Sequence, residues 1–199
     1  MRLAVILVNY NGLRFNEECI NSILRSDWLG EINIYLVDNH STDASMEQLK
    51  SSFSNRKEVN FIYLSQNIGF AAANNIGIKK SLTEDADFVM ILNNDTVIEK
   101  DMIKIMVETS LEYPNSIIVP KILFEADKDI LWYAGGFFSR LVWKPKSRGE
   151  SEKDQGQYDE DTDCDFANGC CMLMPRNMFS RLGFMDESFF LYYEDTEYS

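Results

Sequence analysis

Two clusters in this chain have the residue types of reactive sites. The first is Asn93-Asn94-Asp95-Thr96, directly after the apolar run Phe88-Val89-Met90-Ile91-Leu92. A carboxylate flanked by amides is a hard oxygen donor, suited to Mg2+ or Mn2+ beside a phosphate. The same residues also suit a strand-end turn, because Asn and Asp bond their own backbone locally. The second cluster is acidic and aromatic, running from Asp186-Glu187 through Phe189-Phe190-Leu191-Tyr192-Tyr193 to Glu194-Asp195. A carboxylate partly desolvated by such neighbours becomes a better general base. Acids favoured at a helix N-terminus are the structural alternative.

Three further spots carry ligand chemistry. Asp38 closes the apolar run Ile32–Val37, where a carboxylate can accept from a pyrimidine N–H or a ribose hydroxyl. Gly69, in Asn67-Ile68-Gly69-Phe70, opens a helix rich in small residues, and a helix N-terminus attracts anions. The Ala71-Ala72-Ala73 run there is equally suited to tight packing. Asn168-Gly169-Cys170 offers room for a sugar, although Cys171 and Met172 suit a plain core. The single histidine, His40, reads as a turn residue.

The elements that must position these groups follow from periodicity. Leu3–Val8, Ile32–Val37, Val59–Leu64 and Phe88–Leu92 read as strands, and Ile117–Leu123 as another. Helices are expected over Arg14–Arg25, Ser45–Phe53, Ala71–Leu82 and Asp101–Leu111. In the first of these, Phe15, Cys19, Ile20, Ile23 and Leu24 form one face. Strands alternating with helices imply crossover units and a mostly parallel, Rossmann-like α/β sheet. Ligands gather at the carboxyl edge of such a sheet. That edge carries Val8-Asn9-Tyr10, Asp38-Asn39, Asn67 and Asn93-Asn94-Asp95, and four polar strand ends in succession point to one shared crevice. Lys144–Asp165 is nearly free of apolar residues and reads as a long, flexible exposed connection. Tyr192–Ser199 reads as the start of a helix without a stop signal, so either the chain is a C-terminally truncated piece or the helix is cut short.

Composition narrows the partners. The chain has 199 residues and a formal charge of −13. Nucleic-acid binding is driven by Lys and Arg, so such a partner is not expected. An anionic ligand would need a cation to reach this surface. The four cysteines lack zinc spacing and are expected as reduced thiols. Met1–Val8 is short for a signal peptide, and Asn9-Tyr10-Asn11-Gly12 is no cleavage site, so a cytoplasmic protein is expected.

Seven segments, in order, resemble the inverting family-2 glycosyltransferases of the GT-A fold, closest to the rhamnosyltransferase-like branch. They are Val8–Asn11, Val37–Asp43, Gln66–Phe70, Leu92–Thr96, Ala134–Gly136, Asn168–Leu173 and Phe184–Asp195. The resemblance spans Leu3 to Ser199. It implies a single GT-A catalytic domain, with a nucleotide-binding half over 1–124 and an acceptor-side half, with a smaller β segment, over 125–199. It implies transfer of a sugar from a nucleotide-diphosphate donor to a hydroxyl of a glycan or lipid-linked glycan, in cell-surface polysaccharide synthesis at the inner membrane face. By the same resemblance Asp38 contacts the base, Asn94 the donor ribose, Asp95 the Mg2+ or Mn2+, Asp195 is the general base, and Glu194 supports it. Two departures stand out. The metal motif has one acid rather than a run, so weak metal affinity is expected, and a further metal histidine of some relatives has no counterpart. Two other readings stay open on the residues: a non-catalytic nucleotide-sugar-binding fragment, and a sugar-nucleotide pyrophosphorylase, although no glycine-rich basic loop follows the first strand.

Overall fold

The computed structural model describes residues 1–139 and 144–199. The first half alternates as expected: β1 (Arg2–Asn9), α1 (Asn16–Leu24), β2 (Glu31–Asp38), α2 (Ser45–Phe53), β3 (Val59–Tyr63), α3 (Phe70–Thr83), β4 (Phe88–Leu92) and α4 (Met102–Glu112). The second half carries β5 (Ile122–Leu123), β6 (Leu131–Tyr133), β7 (Gly136–Phe138), β8 (Pro145–Ser147), β9 (Cys171–Pro175), α5 (Asn177–Leu182) and α6 (Glu194–Tyr198). The main sheet has the order β3-β2-β1-β4-β9, with all pairs parallel except β4 with β9.

The sheet is covered on both faces, which is why β1 and β4 are continuous apolar runs. Side chains alternate across the pleat. Leu3, Val5 and Leu7 pack with α1, α2 and α4, through Cys19, Ile20, Ile23, Leu49, Phe53, Ile103 and Val107. Ala4 and Ile6 face the other way, onto Ala71, Ala73 and Ile78 of α3 and Met178 and Phe179 of α5. The small residues of α3 let it lie close to the sheet. A Cβ added at Gly77 would stand 2.6 Å from Ile6 Cγ2. Each buried Leu or Ile contributes about 1.5–3 kcal/mol, whereas an exposed pair such as Lys80–Glu84 contributes at most about 1 kcal/mol. The two apolar layers therefore hold the fold.

The chain steps outward from β1 to β2 and β3, then returns to lay β4 on the far side of β1. This reversal opens a crevice at the carboxyl ends of β1 and β4, the usual ligand position in an open α/β sheet.

Two expectations are corrected. The strand expected over Ile117–Leu123 is not in the main sheet. Only Ile122–Leu123 is strand, paired with β6, and Ile118 makes one isolated bridge to Leu173. Pro120 interrupts this run, and a residue without an N–H cannot serve a central ladder. The place beside β4 goes to β9. In α1, Phe15 is exposed, and Asn16 takes the inward position ahead of Cys19, Ile20 and Ile23. The segment after residue 144 also carries more structure than its composition suggests. β8 pairs with β7, Lys153 bridges Ile130, and Lys121 Nζ meets Asp154 at 2.7 Å.

Candidate active site

Asn9, the last residue of β1, is fully buried and serves as a hub. Its Nδ2 donates to Asp38 Oδ1 at 3.0 Å, and lies 2.9 and 3.0 Å from the hydroxyls of Ser41 and Ser45. Its Oδ1 accepts from the Gly12 N–H at 3.1 Å and from Asn16 Nδ2 at 2.6 Å. Asn16 Oδ1 in turn accepts from Asn94 Nδ2 at 2.8 Å. A continuous amide chain thus joins the carboxyl ends of β4, β1 and β2 across the crevice. Buried polar groups of this kind hold one geometry only when every member is partnered. Gly12 sits inside the ring, where a Cβ would stand 2.4 Å from Asn94 Nδ2.

The next strand end repeats the device. Asn39 Nδ2 donates to Asn67 Oδ1 at 2.9 Å, and Asn39 Oδ1 accepts from the Ile68 N–H. Asp38 is 6% exposed, and its Oδ2 accepts from the Ser41 N–H. Val8 is half-buried beneath this edge, and Tyr10 projects from it, 51% exposed. Gly69 is closely packed. Its φ is +88°, and a Cβ there would stand 2.6 Å from Phe190 O. Its N–H and carbonyl are engaged by Asn67 and Asn39.

The end of β4 and the acid Asp195 meet one short segment, Asn168–Cys170. On the β4 side, the Asn93 N–H donates to Cys170 O at 2.8 Å. Burial pushes the Cys170 thiol up to about 12, and the Asp95 charge adds to that rise. On the other side, the Gly169 N–H donates to Asp195 Oδ2 at 2.7 Å. Asp195 Oδ1 accepts from the Thr196 N–H at 2.6 Å. A Cβ at Gly169 would stand 3.2 Å from that of Asp195, so glycine allows this approach. Asp195 opens onto a cleft of about 440 Å³. Asp95 is exposed. Among the described residues no cluster of three or more metal-ligating side chains occurs.

Glu194 is 5% exposed, and its Oε2 has no hydrogen-bond partner among the described residues. Burial raises its pKa above the ordinary carboxylate value, and the Asp195 charge adds to the effect. The folded protein therefore holds this proton more tightly than the unfolded chain. Stability from this group is full below the unfolded pKa and is lost as pH climbs through the raised folded value. The Glu194→Gln variant is expected to melt about 3 °C higher than the parent at pH 7.5, with the gap closing toward pH 4. Calorimetry at both pH values checks this, and a less stable variant at pH 7.5 would reveal a partner for the carboxylate.

The other acids of that cluster are structural. Glu187 accepts from Asn75 Nδ2 at 3.0 Å and pairs with Lys79, which fixes the segment onto α3. Asp186 accepts from the Ser188 N–H. Asn16 and Asn75 are the residues that sequence reasoning missed, whereas Asn39 was expected at the ligand edge. Asn16 heads an i, i+3, i+4, i+7 apolar stripe, and a polar residue at such a position needs a partner.

A family model described as Glycosyl transferase family 2 matches residues 4–183. The chain shares 29% identity over 200 residues with the low-salt glycan biosynthesis hexosyltransferase Agl10 of Haloferax volcanii, covering 98% of this chain and 60% of that protein. It shares 27% identity over 198 residues with the dTDP-rhamnosyl transferase RfbF of Shigella flexneri, covering 97% and 60%. The chain thus spans 60% of the length of these relatives. The crystal structure of GalNAc-T7 with UDP, GalNAc and Mn2+ superposes with a TM-score of 0.74 at 15% identity, over 99% of this chain and 39% of that one.

Proposed function

The chain belongs to glycosyl transferase family 2 and has the GT-A fold, and from that premise we propose that it transfers a sugar from a nucleoside diphosphate to a hydroxyl of a glycan acceptor, with inversion. The observation that supports this reading is that the end of β4 and Asp195 both hold the segment Asn168–Cys170 at the switch-point edge, the first through the Asn93 N–H on Cys170 O and the second through the Gly169 N–H on Asp195 Oδ2.

The roles are those the family resemblance implies, and the geometry suits them. Asp38 accepts from the base of the nucleotide, held in place by Asn9 and the Ser41 N–H. Asn67 and Asn93, at the neighbouring strand ends, border the donor. Asn94, fixed through Asn16, contacts the ribose. Asp195 takes the proton from the acceptor hydroxyl as its oxygen attacks the anomeric carbon from the face opposite the diphosphate. The bond to the diphosphate oxygen breaks in the same step, which inverts that carbon. The Gly169 and Thr196 N–H groups hold the Asp195 carboxylate in one orientation, as a base requires. Glu194 sets the entry of α6 behind it.

A lone exposed carboxylate fits a divalent cation that arrives with its phosphates, because Mg2+ and Mn2+ sites of this kind draw most of their ligands from substrate and water. Asp95 would hold it, and when bound it neutralises charge on the departing diphosphate. The chain alone is therefore expected to bind Mn2+ weakly. Mn2+ should tighten UDP or dTDP binding roughly tenfold or more, and Asp95→Asn should remove that gain. Calorimetric titrations with and without the ion decide it. Nucleotide binding indifferent to both Mn2+ and Asp95 would overturn the reading.

The proposal extends to a lipid-linked glycan acceptor at the cytoplasmic membrane face, in cell-surface polysaccharide synthesis. No helix among the described residues is long and apolar enough to cross a membrane, which suits a peripheral association.

A further inference from the structure

We propose that Tyr192 and Tyr193 form the stacking wall of an acceptor subsite that takes a neutral pyranose ring, beside Asp195. This rests on the reading of Asp195 as the base.

The first observation is backbone strain. Tyr192 and Tyr193 have φ of +72° and +70°. The left-handed region is unfavourable for bulky side chains, at about 1–3 kcal/mol each. Of the other non-glycine residues with positive φ, Asn11, His40 and Asp85 belong to the types that tolerate it. The tyrosines are the only consecutive pair among the described residues.

The second observation is that the surroundings hold this strain in place. Upstream, Phe190 O accepts from the Phe70 N–H at 2.9 Å, lying in the space that the missing side chain of Gly69 leaves open. Downstream, Glu194 is buried and Asp195 is clamped to Gly169. Between these anchors the chain is pushed outward, and Tyr192 and Tyr193 are 72% and 62% exposed. Residues whose only role was packing would turn their rings inward.

The third observation is where they sit. Both line the 440 Å³ cleft onto which Asp195 opens, with the buried ring of Phe166 also in its lining. Exposed tyrosine is an amphipathic surface with few rotatable bonds, suited to the C–H face of a sugar ring. Charge then selects the ring. Among the described residues Lys146 is the single cation lining the cleft, against Glu150 and Asp195. That balance disfavours a phosphate or carboxylate on the bound sugar and leaves hydrogen bonding to hydroxyls as the polar contact.

Saturation-transfer NMR on the 199-residue chain, with saturating UDP and Mg2+, tests this. The probes are methyl α-L-rhamnopyranoside and methyl β-D-glucopyranoside, against methyl β-D-glucuronide as the charged comparison. At least one neutral glycoside should bind, with saturation strongest on its ring C–H protons, and the glucuronide should bind more weakly. The double variant Tyr192→Ala/Tyr193→Ala should weaken binding roughly tenfold. Tyr192→Phe/Tyr193→Phe should restore it, because the ring face is kept. UDP binding should be the same in all three proteins. The subsite is overturned if neither neutral glycoside binds, if the alanine variant binds as well as the phenylalanine one, or if the glucuronide binds best. UDP binding, read in the same samples, reports separately on the donor-site reading. Its failure in every protein while glycosides still bind would remove the transferase reading and leave the sugar subsite standing.

Discussion

Asp195→Asn is expected to lower turnover by roughly 10²–10⁴-fold, the range for removal of a general base, with UDP binding kept within about twofold of the parent. Asparagine keeps the size of the side chain, and its carbonyl oxygen can still accept from the Gly169 N–H, so the Asn168–Cys170 segment stays in place. What is lost is a group able to take the acceptor proton. The amide can no longer accept at both positions, so the contact to the Thr196 N–H loosens as well. Single-turnover transfer from a radiolabelled donor, in a protein extended to the length of its relatives, measures the first effect, and titration with UDP the second. Turnover within tenfold of the parent would take Asp195 out of the chemistry. A parallel fall in nucleotide affinity would mean that it shapes the donor site instead.

Asn9→Leu should be the most damaging of the changes to stability, at about 4 kcal/mol, or a melting temperature lower by about 10 °C. Leucine keeps the branched skeleton, with bulkier methyl ends, but none of the polarity. The Gly12 N–H loses its acceptor, Asp38 loses one of its donors while remaining buried, and Asn16 loses its link to β1. Each orphaned buried group carries about 1–3 kcal/mol, more where a charge is involved. Tyr10→Ala, one residue on and exposed, should stay within about 0.5 kcal/mol. Urea denaturation of both variants separates the two cases, and a loss below about 1 kcal/mol for Asn9→Leu would mean that the network is not a stabilising unit.

Much of the architecture could be read from the amino acids because its signals are local. Strands buried on both faces are continuous apolar runs, as in Phe88–Leu92, and the helices between them keep their period. Strand ends were also legible, since polar residues there have few other reasons to recur. What escaped depends on contacts far apart in the chain. Cys171–Met174 is visibly apolar, yet its antiparallel place beside β4 is decided by the return of the chain, not by its composition. Strands of three residues such as β6, β7 and β8 are too short to show a period. Asn16 lay hidden inside a helical pattern because its partners come from two different strands. Gly69 reads as a ligand contact from its neighbours, whereas its conformation answers to Phe190, more than a hundred residues later. The left-handed backbone of Tyr192 and Tyr193 has no signature in residue type at all.

The edge strand β9 is threaded against β4 only after the whole excursion through α4 and the small β pairs has been made. Closing so large a loop is entropically slow compared with forming the local crossovers before it. During synthesis the crevice edge built by β1 to β4 therefore forms first, and Asp195, carried behind β9, joins it later. On the proposed assignment, a nascent polypeptide would bind donor before it could turn it over.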